Sequence, residues 1–259
     1  MTTVLPVRQP RGKYQGMLQI LSFNWRLYLA AVIVLVANVP CLIRWRLSLL
    51  GRIAVISSFA ITAFWTTLSL AVSHWVYDRS GICEWTWIKD CLPEPPRRWA
   101  NIHAGLDESS PALAQLFPGT EGSAWDIFDP LEMTEASIAE ARLRGAKSLP
   151  ATHANFRALP LADQTLDAVF LIFAAHEIRR TPARREFFKE LKRVLKSSGR
   201  VLMVEHLRDW HNFLAYGPGC FHFLSRRTWL SAAAQTGFIV EREFGITPFV
   251  RIFILQKNL

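Results

Sequence analysis

The sequence predicts an α/β protein with a doubly wound, Rossmann-like, mostly parallel sheet of seven strands, preceded by an α-helical transmembrane hairpin. Three observations lead to this fold class. Two long apolar stretches lie in the first hundred residues, and strands alternate with helices from residue 99 onward, which is typical of a doubly wound sheet. Residues 167–174 are almost continuously apolar, as expected of a parallel strand buried on both faces.

Two apolar segments are long enough to cross a membrane. Residues 27–43 carry no charged side chain, and residues 53–76 contain no Lys, Arg, Asp or Glu. A helix that crosses the hydrocarbon core needs roughly 20 residues, with about 17 as the lower limit. A cleaved signal peptide is a poor fit, because the first segment starts late and a second one follows. We therefore predict a membrane anchor over residues 1–91, with an interfacial linker at its end, and a separate domain over residues 92–259.

Charge does not decide the orientation of this anchor. The positive-inside rule needs an asymmetry of basic residues between the two sides, and here they are nearly balanced. The N-terminal segment carries Arg8, Arg11, Lys13 and Arg26, and the loop of the hairpin carries Arg44, Arg46 and Arg52. Two spans place both termini on one side. A monotopic hairpin that enters and leaves one leaflet, turning near Pro40, is the alternative.

The positive charge of the chain belongs to its membrane-like part. The first hundred residues hold eleven Lys and Arg against four Asp and Glu, whereas the rest holds nineteen against seventeen. Cations beside a bilayer are attracted to anionic headgroups, so we expect membrane lipids, and no nucleic acid, as partners. The four cysteines are scattered without CxxC spacing, and we predict unpaired thiols and no metal site.

The second part of the chain divides into regular elements. Strands are predicted at 99–105, 122–125, 149–154, 167–174, 200–204, 238–244 and 249–256, and helices at 110–117, 134–144, 181–196 and 229–236. Ser-Pro at 110–111 and Thr-Pro at 181–182 favour helix starts, and glycines at 199 and 237 favour helix ends.

The content of these elements resembles a class I S-adenosylmethionine (SAM)-dependent methyltransferase with a methyltransferase type 11-like domain. The strongest segments are 155–170 (NFRALPLADQTLDAVF), continuing to 173–177 (FAAHE), and 195–203 (LKSSGRVLM). The resemblance covers residues 99–257 and implies methyl transfer, with SAM as the cofactor. Ligands of such sheets bind at the carboxyl ends of the strands.

The resemblance also implies a set of cofactor-binding residues. The family usually has three glycines in the loop after the first strand, so that its backbone can approach the methionine part of SAM, and here only the first remains. Acidic residues in this loop are expected to accept from the ammonium group, an acidic residue after the second strand holds the ribose, and Phe156 either stacks on the adenine or lies in the core. The expected residues are Gly105, Asp107, Glu108, Asp126 with Asp129 as fallback, Asn155 and Phe156.

Two further sets point to the methyl acceptor. His176 with Glu177, and Glu205 with His206, are candidate catalytic bases at the ends of two central strands; salt bridges to neighbouring arginines are the alternative. The aromatic stretch 210–224 is too long and apolar for an ordinary surface loop. We predict that it covers the acceptor pocket or dips into the membrane surface. Its candidate pocket residues are His211, Tyr216 and His222.

These features predict a membrane-anchored methyltransferase that moves a methyl group from SAM to a hydrophobic small-molecule or lipid acceptor. If the cofactor is cytosolic, the catalytic domain faces the cytoplasm. A catalytically inactive methyltransferase-like binding or assembly protein is the main alternative, because the glycine loop is altered. A related transfer or decarboxylation enzyme is a third, because a fold does not fix its chemistry.

Overall fold

A computed structural model of the chain describes residues 11–43, 47–105, 107–145 and 152–258. Three helices come first: α1 (Gln15–Phe23), α2 (Trp25–Ile43) and α3 (Leu49–His74). The Tyr28 and Ser69 hydroxyls lie 3.1 Å apart, and the Asn38 amide donates to Ser58 over 3.3 Å. These pairs run in opposite directions along the two helices, so α2 and α3 form an antiparallel hairpin.

By length and composition, both helices of the hairpin qualify as membrane spans. Their most apolar windows have mean hydropathies of 2.1 and 1.7, and no residue of either window is buried inside the protein. The two predicted apolar helices are therefore present, at 25–43 and 49–74. Ser48 begins α3, since its hydroxyl accepts from the backbone N–H of Gly51 over 3.2 Å.

The remaining chain builds the predicted seven-stranded sheet. Its strands are β1 (Arg98–His103), β2 (Glu121–Asp126), β3 (Thr152–His153), β4 (Leu166–Ile172), β5 (Leu195–His206), β6 (Phe238–Thr247) and β7 (Val250–Lys257). They are ordered β3-β2-β1-β4-β5-β7-β6. The first five run parallel, and β7 is antiparallel to both β5 and β6. The sheet is thus mixed but mostly parallel, as predicted; the start of the predicted strand 149–154 lies outside the described residues.

Five helices accompany these strands. They are α4 (Ser109–Leu116), α5 (Ala136–Gly145), α6 (Thr181–Val194), α7 (Trp210–Tyr216) and α8 (Arg226–Gln235). Four were predicted; α7 lies inside the aromatic stretch that was predicted only as a covering segment. It begins because the Asp209 carboxylate accepts from the backbone N–H of Asn212 over 2.9 Å.

Each face of the sheet has its own apolar core. One face packs against α5, α6 and α8. The other packs against α4 and against residues 72–91, the segment that follows the hairpin. In this second core Ile88 is fully buried, and Trp85 is only 4% exposed. Trp85 therefore lies in the core rather than at a membrane interface.

The second core joins the segment after the apolar hairpin to the sheet. It brings Val76, Ile82 and Ile88 together with Phe170 of β4 and Ile252 of β7. The four cysteines form no disulfide within the part of the chain that the structure describes, and Cys83 and Cys91 lie in this core. The division of the chain into two domains at residue 92 stays a prediction. The segment before residue 92 packs against the sheet that follows, so this packing does not separate the two parts.

Truncating a core residue of the linker should destabilise the whole chain. Replacing a fully buried isoleucine by alanine removes apolar contacts and leaves a cavity, so Ile88→Ala should lower the free energy of unfolding by about 2–5 kcal/mol. Denaturant unfolding of the full chain in detergent measures this change. The control is Ile53→Ala on α3, where the side chain is 52% exposed; equal losses in the two variants would contradict the assignment.

Candidate active site

The carboxyl ends of the parallel strands bring the predicted site residues to one edge of the sheet. β1 ends at His103, β2 at Asp126 and β5 at His206, and residues 175–177 form a short 3-10 turn after β4. The strand order changes direction between β1 and β4. Ligands of open α/β sheets bind at such a switch point.

Asp107 organises the loop that follows β1. Its Oδ1 accepts from the backbone N–H groups of Ser109 (3.2 Å) and Ser110 (2.9 Å), which lie in the first turn of α4. The amide of Asn101 donates to the same oxygen over 3.1 Å. Asp107 therefore secures the start of α4, and its other oxygen, Oδ2, lies 3.7 Å from Nε2 of His103.

His103, the last residue of β1, is a polar residue beside this loop that the sequence analysis missed. Its side chain is 6% exposed, and neither ring nitrogen has a hydrogen-bond partner among the described residues. The buried Oδ1 of Asn101 is also without a partner there. Buried polar groups are normally satisfied, so a polar ligand bound at the end of β1 would supply what these atoms lack.

Glu108 is held by the N-terminal segment. It forms an ion pair with Arg11 and accepts from the side-chain amides of Gln15 (3.1 Å) and Gln19 (2.6 Å). The segment that precedes the hairpin is thereby attached to the loop between β1 and α4, which we call the cofactor loop. Because its carboxylate is occupied in this way, the role of Glu108 toward the SAM ammonium stays a prediction.

Asp126 is paired with Arg142 of α5, another residue that the sequence analysis missed. The Arg142 guanidinium donates to both carboxylate oxygens over 3.0 and 2.8 Å and to the carbonyl oxygen of Ala104 over 3.0 Å. Gly105 permits this approach, since a Cβ there would lie 3.2 Å from Cγ of Arg142 and 3.0 Å from Cδ1 of Ile138. A helical pattern marks Arg142 only as a surface position, so its pairing was not readable from the sequence.

The remaining cofactor candidates lie along the loops after β2 and β3. Asp129 Oδ1 accepts from the Leu131 backbone, and Asn155 Oδ1 accepts from the Arg157 backbone, each over 2.9 Å. Phe156 is 1% exposed and packs edge-on against Phe187. Of the two roles considered for Phe156, this packing favours the core.

Glu205 and His176 form a buried pair at the acceptor side of the site. Glu205 Oε1 accepts from the backbone N–H groups of Ala175 (2.9 Å) and His176 (3.2 Å), and Oε2 lies 2.6 Å from Nδ1 of His176. Since a carboxylate accepts, Nδ1 carries a hydrogen, and Nε2 is directed to Glu177 Oε1, 3.4 Å away. Burial lowers the pKa of His176, but Glu205 and Glu177 outweigh it and raise that pKa to about 10. At neutral pH the imidazole is therefore charged.

His222 joins this pair from a distant part of the sequence. Its ring centroid lies 5.0 Å from that of His176, and its Nδ1 lies 3.6 Å from Glu135 Oε2. Arg179 donates to the backbone carbonyl of His222 and lies 3.7 Å from Glu135. One ligand atom from each of His176, Glu177 and His222 lies within 4.8 Å of the others, so these three side chains could hold a metal ion.

His206 is held by a tyrosine from the linker, the segment that follows the apolar hairpin. Its Nδ1 lies 2.9 Å from the carbonyl oxygen of Phe249, which only accepts, so Nε2 accepts from the Tyr77 hydroxyl over 2.7 Å. The ring lies between Phe173 and Phe223, with centroids 5.2 and 4.8 Å away. Burial lowers the pKa of His206 to about 4, and the neutral ring has both nitrogens engaged.

Of the other predicted pocket residues, the structure brings only Tyr216 to this cluster. Its half-buried ring meets the rings of His206 and Phe223 edge-on at 5.8 and 5.9 Å. His211 lies exposed on α7. The tyrosine of the linker, Tyr77, was not predicted here, because nothing in the sequence separates it from the interfacial aromatic residues around it.

Residues 127–203 match the family model for a methyltransferase domain. The chain is similar to a SAM-dependent methyltransferase from Aquifex aeolicus, with 20% identity and a TM-score of 0.50 over 67% of this chain and 88% of that one. It is also similar to the geranyl diphosphate C-methyltransferase of Streptomyces coelicolor A3(2), with 13% identity and a TM-score of 0.50 over 73% and 83% of the two chains. No curated protein matches the chain.

At these identities the structural likeness shows a shared fold, and the family model adds the class of domain. The seven-stranded sheet with its helices has the fold of SAM-dependent methyltransferases, and residues 127–203 within it match the methyltransferase domain model. The predictions of a methyl-transferring enzyme with SAM as its cofactor are confirmed at this level.

Acid should destabilise the fold through His206. In the folded chain its pKa of about 4 lies below the ordinary value of 6.5, so between these values the unfolded chain binds a proton that the folded chain does not. The neutral ring of His206 therefore contributes about 3 kcal/mol to the free energy of unfolding above pH 6.5. This contribution is lost as the pH falls from 6.5 to about 4. We expect His206→Gln to unfold with a weaker pH dependence than the wild-type chain.

Thermal unfolding in detergent at several pH values between 6.5 and 4 measures this difference. The matched control is His153→Gln, because His153 is an exposed histidine on β3 and should keep the wild-type pH dependence. An unchanged pH dependence in His206→Gln would show that the buried ring titrates like an exposed one.

Proposed function

We propose that this protein is a membrane-attached enzyme that transfers the methyl group of SAM to a hydrophobic small-molecule or lipid acceptor. One observation carries the proposal: Tyr77, from the linker directly after the apolar hairpin, donates to the buried His206 at the carboxyl end of β5. The membrane-like part of the chain thus contributes a residue to the acceptor side of the site. An anchor that served only as a tether would not need such a contact.

The cofactor side offers groups that suit SAM. Bound there, SAM would supply a methyl group to a nucleophilic atom of the acceptor. Asp126 would hold the ribose hydroxyls, and the unpartnered nitrogens of His103 suit the polar methionine end of the cofactor. Arg142 holds Asp126 in place and covers Gly105, so cofactor binding requires that Arg142 share this carboxylate.

The acceptor side combines apolar walls with one charged group. Phe173, Phe223 and Tyr216 surround His206, and such rings suit an apolar acceptor. His176 is fixed by Glu205, and its charged ring would stabilise the anionic form of an oxygen acceptor. Alignment of the acceptor with the methyl group supplies much of the rate in such a reaction.

An apolar patch on α7 and the turn after it continues the surface of the hairpin. We call Trp210, Leu214 and Phe221 the α7 patch; these side chains are 66%, 41% and 59% exposed. Phe213 packs between this patch and the hairpin, since its ring lies 5.7 Å from Trp210, 6.4 Å from Phe221 and 5.9 Å from Trp65 of α3. Exposed apolar patches of this kind mark sites of interaction. Here the neighbouring apolar helix favours a membrane surface, from which an acceptor could enter the site.

The geometry of the hairpin bears on how it sits in the membrane. Because α2 and α3 are antiparallel, both ends of the hairpin lie beside the catalytic domain, which a cytosolic cofactor would place on the cytoplasmic side. Trp65 of α3 meets Phe213 of α7, and the part of α3 before it, residues 49–64, is about 24 Å long. The hydrocarbon core is about 30 Å thick. This shortfall favours the monotopic hairpin as a second arrangement.

SAM binding is the first test of the proposal. Titration of SAM into the full chain in detergent, followed by calorimetry, should give saturable binding that Asp126→Ala weakens at least about tenfold, because a hydrogen-bonded carboxylate is lost. Asp163→Ala is the matched control, since Asp163 is an exposed aspartate paired with Arg193. No binding by the folded protein would favour the catalytically inactive binding or assembly protein instead.

Removing the α7 patch should separate membrane contact from cofactor binding. With methyl-labelled SAM and vesicles made from a membrane lipid extract, Trp210→Ser with Phe221→Ser should lower labelling of the organic phase several-fold, while the Kd for SAM stays unchanged. The control is Ile239→Ser, because Ile239 is an exposed apolar residue of β6 outside the patch. Equal labelling by all three proteins would refute entry from the membrane, and the mass of the product distinguishes methyl transfer from other chemistry on this fold.

A further inference from the structure

We propose that His176, Glu177 and His222 form a binding site for a divalent transition-metal ion of the zinc type, with Glu205 as the residue that positions His176. The three side chains each offer one ligand atom, and these atoms lie within 4.8 Å of one another. Two imidazoles and one carboxylate are a frequent ligand set for zinc in enzymes. The site does not depend on which acceptor is methylated.

The distances are close to those that a bound ion requires. Zinc–nitrogen bonds of about 2.0–2.1 Å in a tetrahedral site place ligand atoms roughly 3.3 Å apart. His176 Nε2 and Glu177 Oε1 already lie 3.4 Å apart. The third ligand would close the site by a small rotation of His222, whose side chain is 23% exposed and lies at the end of a 3-10 turn.

Glu205 orients the first ligand in the manner of an established metal site. A histidine that binds a metal through one nitrogen commonly donates its other N–H to a carboxylate. Nδ1 of His176 does so to Glu205 over 2.6 Å, and Glu205 is itself fixed by two backbone N–H groups. A bound ion would replace the proton that Nε2 carries in the metal-free chain, and the charge of the ion would then act on the acceptor in place of the charge of the ring.

Burial and charge support the same assignment. Glu177 and Glu205 are 5% and 0% exposed, and Oε2 of Glu177 has no hydrogen-bond partner among the described residues. Two buried carboxylates are costly unless they are neutralised. The charged ring of His176 balances one of them in the metal-free chain, and a divalent ion that replaces its proton would balance both. Arg179 pairs with the third nearby carboxylate, Glu135, so that charge is already met.

The sequence analysis predicted no metal site, because its residues show no recognisable metal-binding pattern. Forty-five positions separate His222 from Glu177, and an adjacent His-Glu pair has no metal-binding spacing by itself. Three protein ligands leave one position of a tetrahedral ion open. That position would suit an oxygen atom of a bound molecule.

The test uses the full chain in detergent, with its affinity tag removed and its metal stripped by a chelator. Zn²⁺ titrated by calorimetry should bind saturably at one ion per chain, and Co²⁺ should give the intense visible absorption of a tetrahedral site. His222→Gln and Glu177→Gln should each weaken binding at least about tenfold, and Glu205→Gln by about 10–100-fold. His211→Gln is the control, since this exposed histidine lies outside the cluster.

Near-ultraviolet circular dichroism establishes that each variant is folded. Absence of saturable Zn²⁺ and Co²⁺ binding by the wild-type chain, or equal binding in folded His222→Gln and Glu177→Gln, would overturn the site. SAM titrations run in the presence of the chelator keep this result separate from the proposed function. SAM binding without metal binding removes only the metal site.

Discussion

The buried carboxylate of Glu205 is the constraint on which the acceptor side of the structure depends. Glu205 is fully buried and is the second-to-last residue of the central strand β5. An unpaired charge at such a position would cost several kcal/mol. Three donors meet it, two backbone N–H groups and Nδ1 of His176. The chain after β4 must therefore turn back over the end of β5, and Phe173 takes a positive φ of 51° at the start of that turn. The same bonds determine that Nδ1 of His176 faces Glu205 and that Nε2 faces Glu177.

The second constraint is that the segment after the apolar hairpin is part of the core. Residues 72–91 cover one face of the sheet, and Tyr77 reaches from this segment to His206. Tyr77 of the linker thus contacts both the apolar core on this face of the sheet and His206 on the acceptor side of the site. At its other end the hairpin is joined through α1 to the loop after β1, where Gln15 and Gln19 donate to Glu108.

Hydrogen bonds and ion pairs of side chains hold the cofactor loop. Where related domains place several glycines, this chain has Asp107, which fixes the start of α4, and Glu108, which holds the N-terminal segment. Arg142 closes the other side of the loop over Gly105. Side chains from the N-terminal segment and from α5 thus contact described residues of this loop. Its one glycine is needed where α5 approaches.

The sequence by itself determined the apolar hairpin, the order of strands and helices and the edge of the sheet that carries the site. These follow from local periodicity, helix start signals and the rule that parallel strands share their carboxyl ends. Only the tertiary structure decided that Phe156 is in the core, that Arg142 pairs with Asp126 and that His222 meets His176. It also decided that Tyr77 meets His206 across 129 positions. Such contacts depend on the direction of side chains on elements brought together by packing, and no local pattern encodes that direction.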